Sequence, residues 1–463
     1  MNTIITENEE ELINNLNFLF EKAITREVED ISDIITMLKK ILDNFARDYI
    51  QDFLEEVDEE IRNSDERKKL WTIKQSGMGK TLITEFGEIK YQRTYFESKG
   101  DKGYSYLTDD TFNIERYQRI DKGLTANLIE LSKEYSYQKS ADLAVDNVKL
   151  SRQTVKNKIR ELGEVDNNEV KDKPDNKKKL KRIYVEADED HISLQDGKKT
   201  IVKLVYIHEG KRELNDRKEL INPHYLAGLY KNTEELWLEV IDYIDEHYCI
   251  DSIENIYLAG DGAPWILEGL NWLPKSKYVL DRYHLSKAVT KATGHIPEMC
   301  HKMWDGLNRC DYDRTRDVLD EIISMTEKET KLKSVKEVKK YILTHWHGIE
   351  IYSKDKYALG CSAEGHVSHV LSARMSSRPL GWSKQGADQI ARLRAFKYNG
   401  GNKKNIRDLL DSKKKERDID IQIKKIMSKK KKRSLYAPPK ETVPALRRGK
   451  VRGTYKILES IAF

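Results

Sequence analysis

The spacing of apolar residues changes character along this chain, and the points of change divide it before any motif is considered. Between residues 8 and 70, Leu12, Ile13, Leu16, Leu19 and Phe20, and then Ile35, Leu38, Ile41, Leu42 and Phe45, recur every three or four positions, which lines one face of a helix. Two or three amphipathic helices are expected there. From Thr81 to Ser98 the pattern alternates about Gly87 (TLITEFGEIKYQRTYFES), as in a β-hairpin with a glycine turn. Helical spacing returns from Leu124 to Leu162. Residues 164–182 (EVDNNEVKDKPDNKKKLKR) have no apolar period, which marks a charged linker.

The second half has a different texture. Strand-like runs at Arg182 to Gln195, Thr200 to His208, Ile253 to Ala259 and Lys277 to Leu280, with a helical run from Thr233 to Tyr248 among them, predict an α/β arrangement. Residues 285–354 then read as wholly helical. Two further helices are expected at Ser362 to Ser377 and Lys384 to Lys397, separated by Pro379, Gly381 and Trp382.

Composition narrows the class. At 463 residues the chain exceeds one ordinary domain, and although only 38% of it is hydrophobic, seven Trp and 24 Tyr supply apolar area for real cores. Its first residues are acidic (Glu7, Glu9, Glu10, Glu11) and no run of 18 apolar residues occurs, so a cytoplasmic protein without membrane contact is expected. Cys249, Cys300, Cys310 and Cys361 are too few for a disulfide framework and contain no C-x-x-C pair. Cys300-His301, His295 and Cys310 lack the paired spacing of a zinc finger and are expected to be packing residues. The net charge is only +5, yet residues 401–463 carry 20 Lys and Arg against 7 Asp and Glu. A basic tail on an acidic body points to a polyanion, most simply nucleic acid held nucleoid-associated in the cell, with 424–433 (KKIMSKKKKR) giving non-specific, salt-sensitive affinity.

Three kinds of motif carry chemistry. Gly77-Met78-Gly79-Lys80-Thr81 suggests a phosphate loop, but Lys74 stands where its first glycine is required and a hairpin follows where a helix should, so no nucleotide cofactor is expected. The segment YQKSADLAVDNVKLSRQTVKNKIREL reads as helix, short turn and helix with Ser151 as N-cap, a helix-turn-helix-like unit. Its second helix would offer Arg152, Gln153, Lys156 and Asn157 to DNA, although two short polar helices are common in any helical domain. Three carboxylates stand at the edges of regular elements: Asp188 in YVEADEDHISLQ, Asp261 in IYLAGDGAPWIL, and Glu364 in GCSAEGHVSHVLSARMSSRPLGWS. Oxygen-only ligands suit Mg²⁺ or Mn²⁺, and two such ions about 3.5–4 Å apart can drive an in-line phosphoryl displacement. Singly, each acid also reads as an ordinary charged-run, turn or helix-start residue.

The strings EADEDHISLQ, YLAGDGAPWI, LDRYHL and CSAEGHVSHVLSARMSSRPLGWS followed by GADQIARLRA resemble those of the ISLre-type insertion-sequence transposases, relatives of the Mutator-like DDE transposases. The resemblance runs over most of the chain in the same order. It implies an RNase H-like catalytic domain interrupted by a helical insertion between the second Asp and the Glu. It places the acidic triad, which is both catalytic and metal-holding, on Asp188, Asp261 and Glu364, and an acid-x-x-His motif on Asp281-Arg282-Tyr283-His284. Asp190, two residues from Asp188 and on the same strand face, remains an alternative first ligand. His284 would contact DNA or serve structurally, with a hydrogen-bonded core role equally open. His366 and His369 are expected in helix packing or at the surface rather than on phosphate. Arg374, Arg378 and Lys384, just beyond the Glu, are expected to contact phosphates.

The resulting expectation is an α/β RNase H-like core with an all-α insertion, preceded by helical, hairpin and helix-turn-helix-like regions. The divisions fall at 1–75, 76–110, 111–163, the linker 164–182, the core 183–284, the insertion 285–354, the core again at 355–397, and the basic tail 398–463. Such a protein would bind terminal inverted repeats in double-stranded DNA, cut them with two Mg²⁺ or Mn²⁺ ions per site, and transfer the 3′-hydroxyls to target DNA. Cutting two ends in concert calls for a homo-oligomer, most simply a dimer. The rivals are a catalytically silent, domesticated transposase acting as a DNA-binding regulator, and a nuclease without strand transfer.

Overall fold

A computed structural model describes residues 2–415 apart from 26, 28, 29, 101, 102, 169, 171–173, 215, 216 and 379, so the basic segment 424–433 and Pro379 lie outside the described residues. By contact, Met1–Arg407 forms one compact unit and Asp408–Phe463 a second. No helix among the described residues is long and apolar enough to cross a membrane.

The N-terminal region holds three helices, Asn2–Ile24, Ile31–Asn63 and Asp65–Leu70. Asp30 starts the second through a capping box, accepting from the N–H groups of Ser32 and Asp33 while Asp33 answers at the cap. Asn8 of the first long helix donates to Asp52 of the second at 2.5 Å, so the two run antiparallel. The second is tied to the following sheet by buried Asp58, which accepts from Thr94 N at 2.9 Å, Thr94 Oγ1 at 2.6 Å and Thr108 Oγ1 at 2.6 Å.

That sheet consists of β1 (Trp71–Thr84), β2 (Gly87–Ser98) and β3 (Tyr104–Ser105), all antiparallel. β1 begins ten residues before the alternating pattern does, because most of its first half is exposed and leaves no apolar rhythm to read. Gly77 to Thr81 is therefore strand, and buried Lys80 donates to the carbonyls of Glu115 and Arg116 at 3.0 and 2.9 Å.

Helices Lys122–Ser132, Tyr137–Ala144 and Arg152–Leu162 pack together, with Asp121, Ser136 and Ser151 as side-chain N-caps. The connection between the last two runs from 145 to 151, longer than the short turn expected. The linker is not wholly a linker either. Val165 and Asn167 are buried, with Asn167 Nδ2 donating to Ala227 O at 3.3 Å and Asn399 Nδ2 donating to Asn167 O at 3.1 Å. A polar sequence here hides a hydrogen-bonded interior position.

The second half is built on β4 (Arg182–Ser193), β5 (Lys199–His208), β8 (His224–Gly228), β9 (Asn255–Gly260) and β10 (Ser276–Leu280), in the order β10-β9-β4-β5-β8; β6 (Lys211–Leu214) and β7 (Arg217–Leu220) form a separate ribbon. β5 runs antiparallel to both its neighbours, β4 and β8, whereas β9 runs parallel to β4 and β10 parallel to β9. Ile183, Val185 and Ala187 pack on one face beneath the helices Thr233–His247 and Pro264–Trp272, through Trp237 and Ile266. Tyr184, Tyr257 and Val279 pack on the other, against Ile351, Tyr352 and Leu359. Helix Lys384–Tyr398 covers β8.

Between β10 and the Glu364 region run five helices: Arg282–Thr293, Met299–Asn308, Tyr312–Met325, Glu329–Thr344 and Trp346–Lys354. Together with Tyr278 and Leu280 of β10 they build a core that includes Leu285, Met303, Leu319, Val335 and Cys300. Helix Trp346–Lys354 docks on β10 where Gly348 lets it approach, since a Cβ there would stand 2.6 Å from the Tyr278 ring.

Candidate active site

The carboxylates singled out by sequence come together where the parallel strands end. β4 carries Asp188 two residues past its last pairing with β9, Glu186 opposite Ala259; β9 ends at Gly260, followed by Asp261; β10 ends opposite Gly260, followed by Asp281. The carboxyl ends of parallel strands in an open sheet are a preferred ligand position. Two glycines make this edge possible. A Cβ on Gly260 would lie 2.8 Å from Ala187 O, and one on Gly262, whose φ is +93°, would strike the His345 ring at 2.5 Å.

Glu364 arrives on the short helix Ala363–Val367. Ser362, just before it, is fastened to β4: its N–H and hydroxyl donate to Glu186 Oε2 at 2.5 and 3.0 Å. Glu186 also accepts from Tyr206 OH at 2.5 Å and His208 Nε2 at 3.0 Å, and pairs with Lys211 at 2.7 Å. Burial opposes its charge, but the His208 hydrogen bond and the Lys211 ammonium win and hold Glu186 well below the usual carboxylate range.

Asp188 shows the opposite balance. Its burial, with the charges of Asp261 and Glu364 beside it, pushes it up to about 6 against the partial relief of the Glu189 N–H and His284. The hydrogen bond from Glu189 N measures 2.8 Å. Asp190, the alternative ligand, is instead held by Ser376 Oγ at 3.0 and 2.8 Å. Glu189, on the opposite face, accepts from Trp265 Nε1 at 2.6 Å.

His284 stands among these acids. Asp281 caps its helix and binds its Nδ1 at 2.7 Å, while Nε2 lies 3.9 Å from Glu364 Oε2. The Asp281 hydrogen bond raises its pKa, burial opposes, and Asp188 and Asp261 add to the rise. Lys287 lies 3.7 Å from the other Glu364 oxygen. Among the described residues no three carboxylate, imidazole or thiol side chains are placed to hold a metal ion as they stand. In kind, however, the Asp188, Asp261 and Glu364 oxygens fit a hard divalent cation, and their mutual repulsion at Asp188 is what such a cation would relieve.

The DNA-binding candidates divide. Arg152, Gln153 and Lys156 line a groove of about 520 Å³ together with Arg160, Arg374 and Trp382, and among the described residues no carboxylate lines it. The groove is continuous with the β4 hairpin, since Gln195 N donates to Trp382 O at 2.9 Å. Arg374 is a wall rather than a free cation: it is buried, its Nε donates to Ser132 O at 3.1 Å, and burial lowers it to about 10. Asn157 turns away to accept from Gln153 at 2.7 Å, and Arg378 and Lys384 are exposed outside the walls. His366 is a packing residue, lowered to about 4 by burial, with Nδ1 3.0 Å from Tyr225 OH, whereas His369 is exposed.

Residues 24–414 match the model of a family described as "Uncharacterised protein family (UPF0236)". The chain belongs to this family. It is 42% identical over 440 residues to UPF0236 protein TTE2489 of Caldanaerobacter subterraneus subsp. tengcongensis, covering 94% of this chain and 93% of that one. A second protein of that organism, 41% identical over 463 residues and covering 98% of this chain and 97% of its own, has a name joining eleven locus designations from TTE0033 to TTE2212. The UPF0236 protein in the vanSb 3′ region of Streptococcus gallolyticus is 24% identical over 434 residues, or 91% of this chain and 94% of that one.

In this UPF0236 chain several site residues escape a reading by sequence. Glu186 reads as one more acid in a charged run, and only the structure shows it locked by four groups. Tyr341 and His345 come from the insertion: Tyr341 OH donates to Asp261 O at 2.7 Å, and His345 packs on Gly262 with its pKa lowered by burial against the pull of Asp261. The glycine beside Asp261 was the available signal, since a missing side chain leaves room for something, though it does not say what.

Proposed function

We propose that this UPF0236 protein is a DDE-type transposase that cuts the ends of a mobile DNA element and joins them to target DNA. The observation that carries the reading is the convergence at the strand ends of Asp188, Asp261 and Glu364, acids far apart in sequence, where the charges of the last two add to the burial that raises the proton affinity of Asp188. The strand order β10-β9-β4-β5-β8, three antiparallel strands followed by two parallel ones, supports an RNase H-like core. A relative named for eleven loci of one organism supports mobility, since a gene carried in many copies is what a self-moving segment leaves behind.

In this reading Asp188, Asp261 and Glu364 would hold two Mg²⁺ or Mn²⁺ ions, which when bound would supply activation of the attacking oxygen and stabilisation of the leaving one. Hydrolysis exchanges a P–O3′ bond for a P–O bond from water and leaves a 3′-hydroxyl. In joining, that hydroxyl attacks a target phosphodiester and displaces its 3′-oxygen, so phosphodiester bonds are conserved and no ATP is consumed. Asp281 fixes the His284 tautomer and turns Nε2 toward Glu364, so His284 keeps that carboxylate in place and can take up a proton there. Arg152, Lys156 and Arg160 hold the phosphates of DNA lying in the groove, and Tyr341 and His345 brace the Asp261 loop.

The test is cleavage and joining of labelled DNA bearing the repeats that flank the gene, in Mg²⁺ and Mn²⁺, by wild type and by Asp188→Ala, Asp261→Ala and Glu364→Ala. Wild-type products lost in all three variants support the reading. Binding that is unaffected by chelator, with no cleavage under any condition, sinks it in favour of a DNA-binding regulator; nicks without joined product would leave a nuclease.

A further inference from the structure

The helical hairpin at the N-terminus leaves an apolar face in water. On Asn2–Ile24, Ile13, Phe20 and Ile24 are 55–65% exposed, and on Ile31–Asn63, Ile31 and Ile35 are 66% and 60% exposed, with Leu42 and Tyr49 behind them at 46% and 38%. These are not scattered residues. At about 100° per residue, positions 13, 20 and 24 fall within roughly 40° of one another, and so do 31, 35, 42 and 49. Steps of seven and four are the spacing of a helical seam awaiting a partner.

The two stripes also share one side of the hairpin. Leu19 is buried, and the inward line on each helix lies one residue before the exposed one: Leu12 and Leu19 precede Ile13 and Phe20, and Ile34 and Ile41 precede Ile35 and Leu42. A one-residue step rotates each stripe by about 100° in its own helix's sense. Because the helices are antiparallel, as the Asn8–Asp52 bond shows, those rotations bring both stripes to the same side. The result is a continuous two-helix apolar surface.

We infer that this face is the interface between two copies of the chain, closing a four-helix bundle with two helices from each. Seven side chains at about half exposure offer roughly 700 Å² per copy, close to the ~800 Å² per partner of a standard interface. A flat pair of seams with matching spacing is complementary to itself under a two-fold axis, the commonest symmetry of soluble assemblies. A solvated face of this size on a lone chain would invite non-specific association.

Sedimentation velocity of the full chain over a concentration series, without DNA, in chelator and high salt, reads this directly. Wild type is expected as a two-chain species. Ile35→Glu with Leu42→Glu places four charges in the seam and should weaken association on the order of a hundredfold or more, while Ile35→Leu with Leu42→Met should stay paired. Circular dichroism of the charged variant should match wild type, since both side chains lie on the outer stripe of the hairpin and not on its inward line. A wild type that is a single chain at every concentration overturns the inference, whether a foreign protein or residues 416–463 then cover the face, and so does a charged variant that remains paired. The measurement involves no DNA, so its failure leaves the transposase reading standing, and failure of cleavage leaves the interface standing.

Discussion

Glu186 and Asp188 sit two residues apart on the same face of one strand, both buried, and their surroundings treat them in opposite ways. Around Glu186 the protein supplies His208, Lys211, Tyr206 and Ser362, and the carboxylate is held ionised. Around Asp188 burial is only partly offset by the Glu189 N–H and His284, Asp261 and Glu364 add like charge, and the carboxylate is pushed toward its proton. The first pocket is saturated and its function is mechanical, since it anchors the segment leading to Glu364. The second sets like charges beside a carboxylate that has one backbone hydrogen bond, at a strand edge, which makes sense if something that is not protein completes it. Burial alone would not have told them apart; the sign of the neighbouring charge does.

The comparison breaks most decisively on activity. Asp188→Ala, Asp261→Ala and Glu364→Ala should each lower strand cleavage by on the order of a thousandfold while leaving the melting transition unchanged or higher, as measured by gel assay and calorimetry on the same samples. Glu186→Ala should do the reverse in kind. It strands Lys211 and His208 beside a buried vacancy, and denaturant unfolding should report a loss of about 3–5 kcal/mol.

The acidity of the medium sharpens the contrast, because the two groups respond with opposite sign. Asp188 binds its proton more tightly folded than unfolded, so the stability it contributes is complete below about pH 4 and is lost as pH rises through about 6, by up to about 2–3 kcal/mol. Glu186 is held below its unfolded value, so its contribution is present above the ordinary glutamate range and disappears as pH falls beneath it. In chelator, Asp188→Asn should therefore flatten the decline in stability between pH 4 and 6, as measured by urea midpoints; an unaltered decline would mean that the clustered charge at this edge is relieved some other way.

Smaller effects test the supports of each pocket. Asp281→Asn, which releases the His284 ring, should cost about 10–100-fold in cleavage with little change in DNA affinity. Tyr206→Phe, which removes one of several donors to Glu186, should cost only about 1 kcal/mol of stability and leave cleavage intact. If Tyr206→Phe proves as damaging to cleavage as Asp281→Asn, the division between an anchoring and a reacting carboxylate fails.

Much of this was legible in the sequence, for reasons that can be named. β4 and β9 announce themselves because apolar runs end in charged or Gly-Asp-Gly segments, and Ser151 is a cap because a hydroxyl precedes a helical period. β8 (HYLAG) was not legible, being five buried residues without alternation, nor was the β6–β7 ribbon, whose KREL and RKEL strands are too charged to suggest a sheet. Helix Pro264–Trp272 was missed although Pro at its first turn is a helix signal. Within the site, the positions of Asp188, Asp261 and Glu364 could be read from their motifs. The burial of Arg374 could not, because an arginine in a polar segment looks the same whether it meets solvent or the Ser132 carbonyl. Tyr341 and His345 touch the Asp261 loop from far along the chain, a relation that composition and spacing do not encode.

That last contact sets a limit on how this chain can be cut or altered. The five helices between β10 and Glu364 could be taken for a detachable module, since they are contiguous in sequence, yet they share their core with Tyr278 and Leu280 of β10 and supply the hydroxyl on the Asp261 carbonyl and the ring that fills the space above Gly262. A shortened version that bridges β10 directly to the Glu364 segment would lose the keystone of the loop it was meant to spare. Any shortening would have to keep the stretch from Tyr341 to Gly348 in register against the sheet.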